Sequence, residues 1–594
     1  MTKKHSLKHI LLRKSYLLAA AFISICVLFI GGCSDKLSTT PDQSDSINTE
    51  KATKKFNAFT ENLLKNELKS NTLSLHYTAI SPAALGIDDY EISIGSYSTQ
   101  SMNNSYNQVR QYQEQLSSIP YDYLSNEDKI TYDIINWYFS HQIDPSEFPY
   151  FDEPLSKTIG IQSQLPILFC EYQFRNQTDI NDYLKLLSLF PAYFDEIITY
   201  EQEKSANGKF MADFSANRII KSIEAFLSQT SDHYLITSFA ERLNSVEGLS
   251  EEQKNNYITA NNSIIIDSVF PAYQKLLETL KSLSTTGTNS GGLCNFENGA
   301  TYYEKLLQKS IGTQKSASEL IAMVDKKLSD DLDKLGTLLT SNTSLIENLN
   351  NLNFEMTQPE EILNYLQSEM KADFPVAVDC KYNIKQISKS LQTTLSPAFY
   401  LAPPIDSANE NTIYINPSYN TESLTLYSTL AHEGFPGHMY QNLFSSSKQT
   451  NPVRALFSFT GYSEGYATYA ELQSYNYLNF DKNINQILSL SNSITLAIYA
   501  RLDLAIHYEG YNYNQTHDYL VKYGITDQET TTEIYQSIVE QPGNYMCYYG
   551  GCCEFNELLK KYKKNHSDFS LKEFHNYILS IGDAPFEILE KYMN

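Results

Sequence analysis

The chain has 594 residues, of which 42% are hydrophobic and 19% are charged. This composition is typical of an ordered globular protein and excludes an intrinsically disordered chain. The formal net charge of −24 would repel phosphate backbones, so the composition argues against nucleic acid as a partner.

The N-terminal segment has the pattern of a secretory signal. Residues 1–14 are basic, residues 15–30 are almost wholly apolar, and two glycines then precede Cys33. This order is typical of an exported protein, and small residues before a cysteine resemble the bacterial lipobox. We therefore predict a lipoprotein signal peptide over residues 1–32 and an extracytoplasmic protein, lipid-anchored to the cell membrane at Cys33. An uncleaved transmembrane anchor is the alternative, although the apolar run is short for a full span.

The rest of the chain is predicted to be mainly helical. Residues 33–55 are polar and lack apolar periodicity, which indicates a flexible linker behind the lipidated cysteine. From residue 56 onward, apolar residues recur at helical spacing, and the best strand signal covers residues 412–416. A glycine- and serine-rich loop at residues 284–292 divides an N-terminal helical region, residues 56–290, from a catalytic region, residues 291–594. The predicted fold is mainly α, with a small β-sheet beside the helix of the histidine motif described next.

Two histidines with a metal-site pattern lie in the second region. His432 and His438 flank the sequence Glu-Gly-Phe-Pro-Gly. A catalytic zinc typically takes two histidines and one carboxylate, leaves a position for water, and works with a general base, a role that suits Glu433. The histidines are six residues apart, so on an uninterrupted helix they would point about 240° apart. Pro436 and Gly437 can break the helix and let the imidazoles converge. Without that break they are two unrelated histidines near a helix end.

A second helical segment supplies the carboxylate. Glu464 follows His438 by 26 residues, a distance over which an antiparallel helix can return an acidic side chain to the histidines. Glu471 lies seven residues further on the same helix face, where it would hydrogen-bond a ligand histidine. We predict a Zn²⁺ site formed by His432, His438 and Glu464, with Glu471 as the alternative ligand.

These motifs resemble those of the bacterial family catalogued as "domain of unknown function 885". Its hallmark is His-Glu-x-x-Pro-Gly-His followed by Glu-Gly-Trp-Ala-x-Tyr-x-Glu. Here the motifs are HEGFPGHMYQ from His432 and EGYATYAE from Glu464, with Tyr466 in place of the tryptophan. Five further stretches fit the family, at residues 160–166, 297–307, 396–404, 500–511 and 541–551. The family is similar to gluzincin-type zinc metallopeptidases, so the resemblance implies a helical metallopeptidase-like body with a deep cleft.

The resemblance also implies roles for residues near the C-terminus. Helical metallopeptidases of this kind use a histidine and a tyrosine as donors to the oxyanion, and the matching positions are His507 and Tyr548. The alternatives are a helix-surface histidine and a structural tyrosine. Arg501 either binds a substrate carboxylate or pairs with Asp503 or Glu509.

The predicted function is zinc-dependent hydrolysis of short peptides by a membrane-anchored peptidase of the carboxypeptidase or oligopeptidase type. In related peptidases an edge strand pairs with the substrate backbone, and the strand at residues 412–416 is the candidate for that role. Two other hypotheses remain open. One is a catalytically silent peptide-binding lipoprotein, and the other is a metal-dependent hydrolase of a non-peptide amide or ester.

Overall fold

The structure is a computed structural model that describes residues 45–593, apart from residues 230–231, 342–344, 346, 348, 350–351, 377–380, 388–391, 393–395, 408–410 and 420–422. The predicted signal peptide, the lipidation site at Cys33 and the first part of the linker lie outside the described residues. Within those residues, no helix combines the length and apolar character that crossing a membrane requires.

Helices form most of the described chain, as predicted. Before the sheet they span Asp45–Ser70, Thr72–Thr78, Thr99–Ser117, Asn126–Ser140, Ile161–Glu171, Gln177–Ser188, Phe190–Ala206, Asp213–Ser228, Tyr234–Leu243, Glu251–Ile264, Phe270–Leu283, Gly299–Ile311, Ala317–Ser341 and Pro359–Glu369. After the sheet they span Ser423–Glu433, His438–Ser446, Thr460–Ser474, Lys482–His507, Tyr513–Lys522, Gln528–Glu540, Gly551–Asn565, Leu571–Ile581 and Phe586–Lys591. The mainly α class is therefore confirmed.

A three-stranded sheet lies beside the helix of the histidine motif, which confirms the predicted small sheet. Its strands are β1 (Tyr382–Gln386), β2 (Ala398–Leu401) and β3 (Asn411–Ile415). Strand β3 is central, parallel to β1 and antiparallel to β2. The prediction that residues 412–416 form an edge strand is therefore wrong, because β3 uses both of its sides for pairing within the sheet. The edge strands are β1 and β2, and β2 is the one whose backbone forms a hydrogen bond with Glu433 of the motif.

The sheet separates two hydrophobic cores. Side chains alternate between the faces of a strand. Ile413 packs into the core of the C-terminal part, whereas Phe399 and Tyr414 pack into a second core formed largely by residues 155–280. The first core also takes in buried residues between positions 52 and 139. The predicted division between residues 290 and 291 stays a prediction. The first core contains residues from both predicted regions.

The predicted linker is shorter than expected. Residues 45–55 begin the helix Asp45–Ser70 and are not a flexible segment. Ala52, Phe56 and Leu63 lie on the helix face that is buried in the first core. Ala52 is the first apolar residue on that face. The sequence before it therefore lacks the repeat of apolar residues by which a helix is predicted. The correction applies to residues 45–55 alone.

Candidate metal centre

The helix break predicted at the histidine motif is present. The first motif helix (Ser423–Glu433) ends one residue after His432, and the second motif helix (His438–Ser446) begins with the other histidine. The Phe435–Pro436 peptide bond is cis. A Cβ atom on Gly437 would lie 1.8 Å from the His432 carbonyl oxygen, so only glycine fits where the two helix ends meet. Tyr466, which replaces the tryptophan of the family motif, donates a hydrogen bond of 3.0 Å to the Pro436 carbonyl.

The break brings three potential ligands together. The Nε2 atoms of His432 and His438 lie 3.5 Å and 3.4 Å from the same oxygen, Oε2 of Glu464. Two ligand atoms that are each about 2.1 Å from a tetrahedral zinc ion are about 3.4 Å apart, so these spacings fit zinc. No other group of three histidine, cysteine, aspartate or glutamate side chains converges in this way within the described residues.

The electrostatics of this cluster favour a bound cation. Glu464 is buried, and its Oε2 makes no hydrogen bond within the described residues. Although burial opposes the shift, the two histidines lower the pKa of Glu464 to about 2. Burial also opposes protonation of His432, yet Glu464 and Glu471 raise the pKa of that imidazole to about 10. The same carboxylates that attract a proton would stabilise a metal ion between the ligands.

Glu433 lies next to the cluster and is fixed by the edge strand β2. Its Oε2 accepts a hydrogen bond of 2.9 Å from the backbone N–H of Tyr400. Burial is the largest cause that raises the pKa of Glu433 well above its ordinary value. A buried carboxylate with a raised pKa suits a general base. Sequence reasoning missed Tyr400, because a backbone donor leaves no residue-type signal.

Glu471 supports His432 from the side away from the other ligands. Its Oε2 lies 3.4 Å from Nδ1 of His432, and its Oε1 accepts a hydrogen bond of 2.6 Å from Asn492. This arrangement leaves Nε2 of His432 directed at Glu464, and it is the position from which Glu471 would support the ligand. Asn492 was not predicted, since it lies on the long helix (Lys482–His507), which has no motif of its own.

Tyr548 lies over the cluster. It belongs to a π-helical turn, Met546–Gly550, and its ring is nearly parallel to the His432 ring, with 6.1 Å between centroids. Burial, followed by the charge of Glu464, raises the pKa of Tyr548 well above its ordinary value, so the hydroxyl stays protonated. Tyr548 therefore places a protonated hydroxyl beside the three ligands.

Glycine residues allow the segments that carry Glu464 and Tyr548 to pack closely against each other. The glutamate helix (Thr460–Ser474) crosses the helix Gly551–Asn565, which directly follows the π-helical turn. A Cβ atom on Gly551 would lie 2.0 Å from the Gly461 carbonyl oxygen, and one on Gly465 would lie 2.4 Å from the carbonyl carbon of Gly551. Only glycine permits backbones to approach this closely.

The predicted role of His507 is wrong. Its Nδ1 accepts a hydrogen bond from the backbone N–H of Leu293, and its Nε2 donates to the carbonyl of Ile538. Burial lowers the pKa of His507 to about 4. Asn492, which touches the cluster through Glu471, lies 15 residues earlier on the same helix, so the two Cα atoms are about 22 Å apart. His507 is a buried structural residue.

Arg501 is also engaged elsewhere. Its guanidinium group forms hydrogen bonds with Asp325 at 2.9 Å and with both carboxylate oxygens of Glu509 at 2.7 Å and 3.1 Å. The predicted pairing with Glu509 is therefore present, whereas Asp503 accepts hydrogen bonds from Tyr303 and from backbone amides. The structure does not bring Arg501 to the cluster.

Comparison with known sequences identifies a family match. The profile of the family described as "Bacterial protein of unknown function (DUF885)" matches residues 80–593. No curated protein matches the chain.

Solved structures with the same fold have low sequence identity. A protein described as the "putative lipoprotein from Colwellia psychrerythraea" is 18% identical, with a TM-score of 0.77 over 92% of this chain and 98% of that one. A "putative lipoprotein of unknown function from Shewanella oneidensis" is 16% identical, with a TM-score of 0.59 over 93% and 100% of the two chains. A "putative oligoendopeptidase F from Bacillus anthracis str. Ames" reaches a TM-score of 0.34 at 10% identity, over 86% and 94% of the chains, which is too low to support an argument.

Proposed function

The chain belongs to the bacterial family of unknown function DUF885, and we propose that it is a zinc-dependent peptidase that acts outside the cytoplasm. The observation that carries this proposal is the cluster of His432, His438 and Glu464, whose ligand atoms have the spacing of a tetrahedral zinc site. Two histidines and one carboxylate are a typical ligand set of catalytic zinc.

The residues around the cluster have the chemistry that peptide hydrolysis needs. Zinc bound there would polarise a carbonyl group and lower the pKa of a water molecule. Glu433 takes a proton from the attacking water and passes it to the leaving amine, while the Tyr400 amide holds one of its oxygens. Tyr548 donates a hydrogen bond from its hydroxyl to the carbonyl oxygen as negative charge develops there.

The proposed location rests on the N-terminal sequence and on the solved relatives. A basic segment, an apolar segment and two glycines before Cys33 form the pattern of a lipoprotein signal. Two proteins with the same fold are each described as a "putative lipoprotein". We propose that Cys33 carries the lipid anchor and that the folded body acts on short peptides at the outer side of the cytoplasmic membrane.

Zinc analysis and a peptide-library digest test the proposal together. We expect about one zinc per chain and zinc-dependent cleavage of short peptides. Glu433→Gln should retain the zinc and lose about 10²–10⁴-fold in kcat, because it cannot take the proton. Glu529→Gln is the matched control, since Glu529 is exposed.

Three outcomes would contradict parts of the proposal. A metal-free protein that still binds peptides would be a silent binding protein. Full activity of Glu433→Gln would remove the assigned base. Zinc-dependent turnover of amides or esters without any peptide cleavage would leave the metal site in place and overturn the substrate class.

A further inference from the structure

A cavity of about 210 Å³ lies on the face of the sheet that is opposite the motif helices. Its lining includes Tyr77, Arg175, Lys385, Tyr414 and residues 401–404. A single water molecule needs only about 10–15 Å³ of cavity volume measured in this way, so the cavity has room for a group of several atoms. It can therefore hold a carboxylate group together with a small side chain.

Two cationic side chains face this cavity without a carboxylate partner. Within the described residues, neither Arg175 nor Lys385 forms an ion pair, and Nε of Arg175 is buried without a hydrogen-bond partner. Nη1 of Arg175 lies 3.4 Å from Nδ1 of His76, and burial lowers the pKa of His76, so that imidazole stays neutral.

Two nearby carboxylates accept hydrogen bonds from groups other than the Arg175 guanidinium and the Lys385 ammonium. Asp179 accepts a hydrogen bond of 2.9 Å from the backbone N–H of Arg175, and Glu171 accepts one from the Tyr414 hydroxyl. In a chain with a net charge of −24, two cations directed at one cavity without an ion pair are a local site for an anion. Arginine in particular binds carboxylates through charge-assisted hydrogen bonds.

The cavity begins one residue from the contact that fixes the candidate base. The backbone N–H of Tyr400 donates to Glu433, and Leu401 already forms part of the cavity wall. Consecutive Cα atoms are about 3.8 Å apart, so this wall begins within about 8 Å of the Glu433 carboxylate. An extended peptide advances about 3.3 Å per residue, so it reaches the start of this wall in two or three residues.

We propose that this cavity binds a carboxylate of the substrate, held between Arg175 and Lys385, and so selects peptides with a negative charge a few residues from the cleaved bond. The inference rests on the proposed peptidase function. The carboxylate belongs either to the peptide C-terminus or to an aspartate or glutamate side chain.

Binding measurements on the zinc-loaded Glu433→Gln protein test this without relying on turnover. Three N-acetylated tetrapeptides are compared by calorimetry: one with a C-terminal carboxylate, its C-terminal amide, and an amide that ends in glutamate. At least one carboxylate peptide should bind about tenfold more tightly than the plain amide, the effect of one charge-assisted hydrogen bond. Tight binding of the glutamate-ending amide would indicate an acidic side chain, whereas tight binding of the C-terminal carboxylate alone would indicate the peptide C-terminus.

Variants in the cavity give the decisive comparison. Arg175→Gln and Lys385→Gln should each remove most of the preference, while Arg175→Lys should keep part of it. Lys560→Gln is the control, since it removes a cation from an exposed position outside the cavity. Lys385 is exposed, so its variant remains informative if Arg175→Gln does not fold.

Equal affinity for all three peptides, or a preference that persists in both Gln variants, would overturn the cavity assignment. Cleavage by the wild type without such a preference would leave the peptidase function intact. Conversely, a preference that depends on Arg175 and Lys385 in a protein that cleaves no peptide would support the cavity and contradict the proposed function.

Discussion

Two of the side chains that would touch the metal or the water, His432 and Glu433, are each oriented by a second group. Glu471 holds the imidazole of His432, Asn492 holds Glu471, and the Tyr400 amide holds Glu433. Groups behind metal ligands fix the orientation and the tautomer of those ligands. The function of the centre therefore depends on residues that never contact the ion.

Replacement of Glu471 tests this support. In Glu471→Gln the charged acceptor beside Nδ1 of His432 is lost, so zinc affinity should fall by about 10- to 100-fold. Competition with a chelator measures the affinity, and Glu529→Gln serves as the control for the same chemical change at an exposed site. Unchanged zinc affinity in Glu471→Gln would mean that Glu471 does not support the ligand.

Removal of the Tyr548 hydroxyl tests its role as a donor. Tyr548→Phe should lower kcat by about 10²–10³-fold, because the developing negative charge loses one hydrogen bond. Zinc content should not change, since Tyr548 is not a ligand. Tyr106→Phe, at a partly exposed position, is the control. A Tyr548→Phe protein with the kcat of the wild type would exclude this role.

The two histidine ligands could be predicted from the sequence because the residues that indicate them lie close together in the chain. His432 and His438 are close in the chain, and Pro436 and Gly437 mark the break between them. His507 was assigned by resemblance alone, and the sequence does not show that its ring nitrogens are bonded to the backbone of Leu293 and Ile538. Nothing in the sequence indicated that Asn492 contacts Glu471, because that contact depends on how two helices pack.

At the scale of elements, the helix crossing at Gly465 and Gly551 decides where Glu464 and Tyr548 lie. Added atoms at these glycines would meet backbone, which cannot move aside as a flexible side chain can. The order of the three strands is a second feature of this scale. Sequence located a strand at residues 412–416, yet it could not show that β2 would become the neighbour of Glu433, because strand order depends on contacts between distant segments.

Gly465→Ala tests the helix crossing. Overpacking of this kind costs about 1–3 kcal/mol, so the variant should unfold at a lower urea concentration and bind zinc more weakly. Gly336→Ala is the matched control. Gly336 lies within the helix Ala317–Ser341, and an added Cβ atom meets nothing within 4 Å. That variant should gain about 0.5–1 kcal/mol. A Gly465→Ala protein as stable as the wild type would contradict the tight crossing.

On the scale of the whole molecule, the two cores bury histidines that carry no charge. Burial lowers the pKa of His233 and of His507 to about 4, and that of His575 to about 3. His575 donates from Nδ1 to the Asp373 carbonyl, and the Tyr469 hydroxyl lies 2.9 Å from its Nε2. In the unfolded chain, these histidines take up protons below about pH 6.5.

Stability should therefore fall in mild acid. Because the folded pKa of His575 is lower than the unfolded pKa, its contribution is complete above pH 6.5 and is lost as the pH falls towards 3. The loss is about 1.4 kcal/mol per pH unit. Urea unfolding of the wild type and of His575→Gln between pH 4 and 7 measures how the free energy of unfolding depends on pH. His517→Gln is the control, since His517 is partly exposed. An equal dependence on pH in wild type and His575→Gln would contradict the assignment.

Crystallography of the zinc-loaded protein, with anomalous data collected on both sides of the zinc absorption edge, tests the central claim most directly. We expect one zinc peak about 2.0–2.2 Å from Nε2 of His432, Nε2 of His438 and Oε2 of Glu464. A zinc-loaded crystal whose anomalous peaks all lie away from these three atoms would contradict the account.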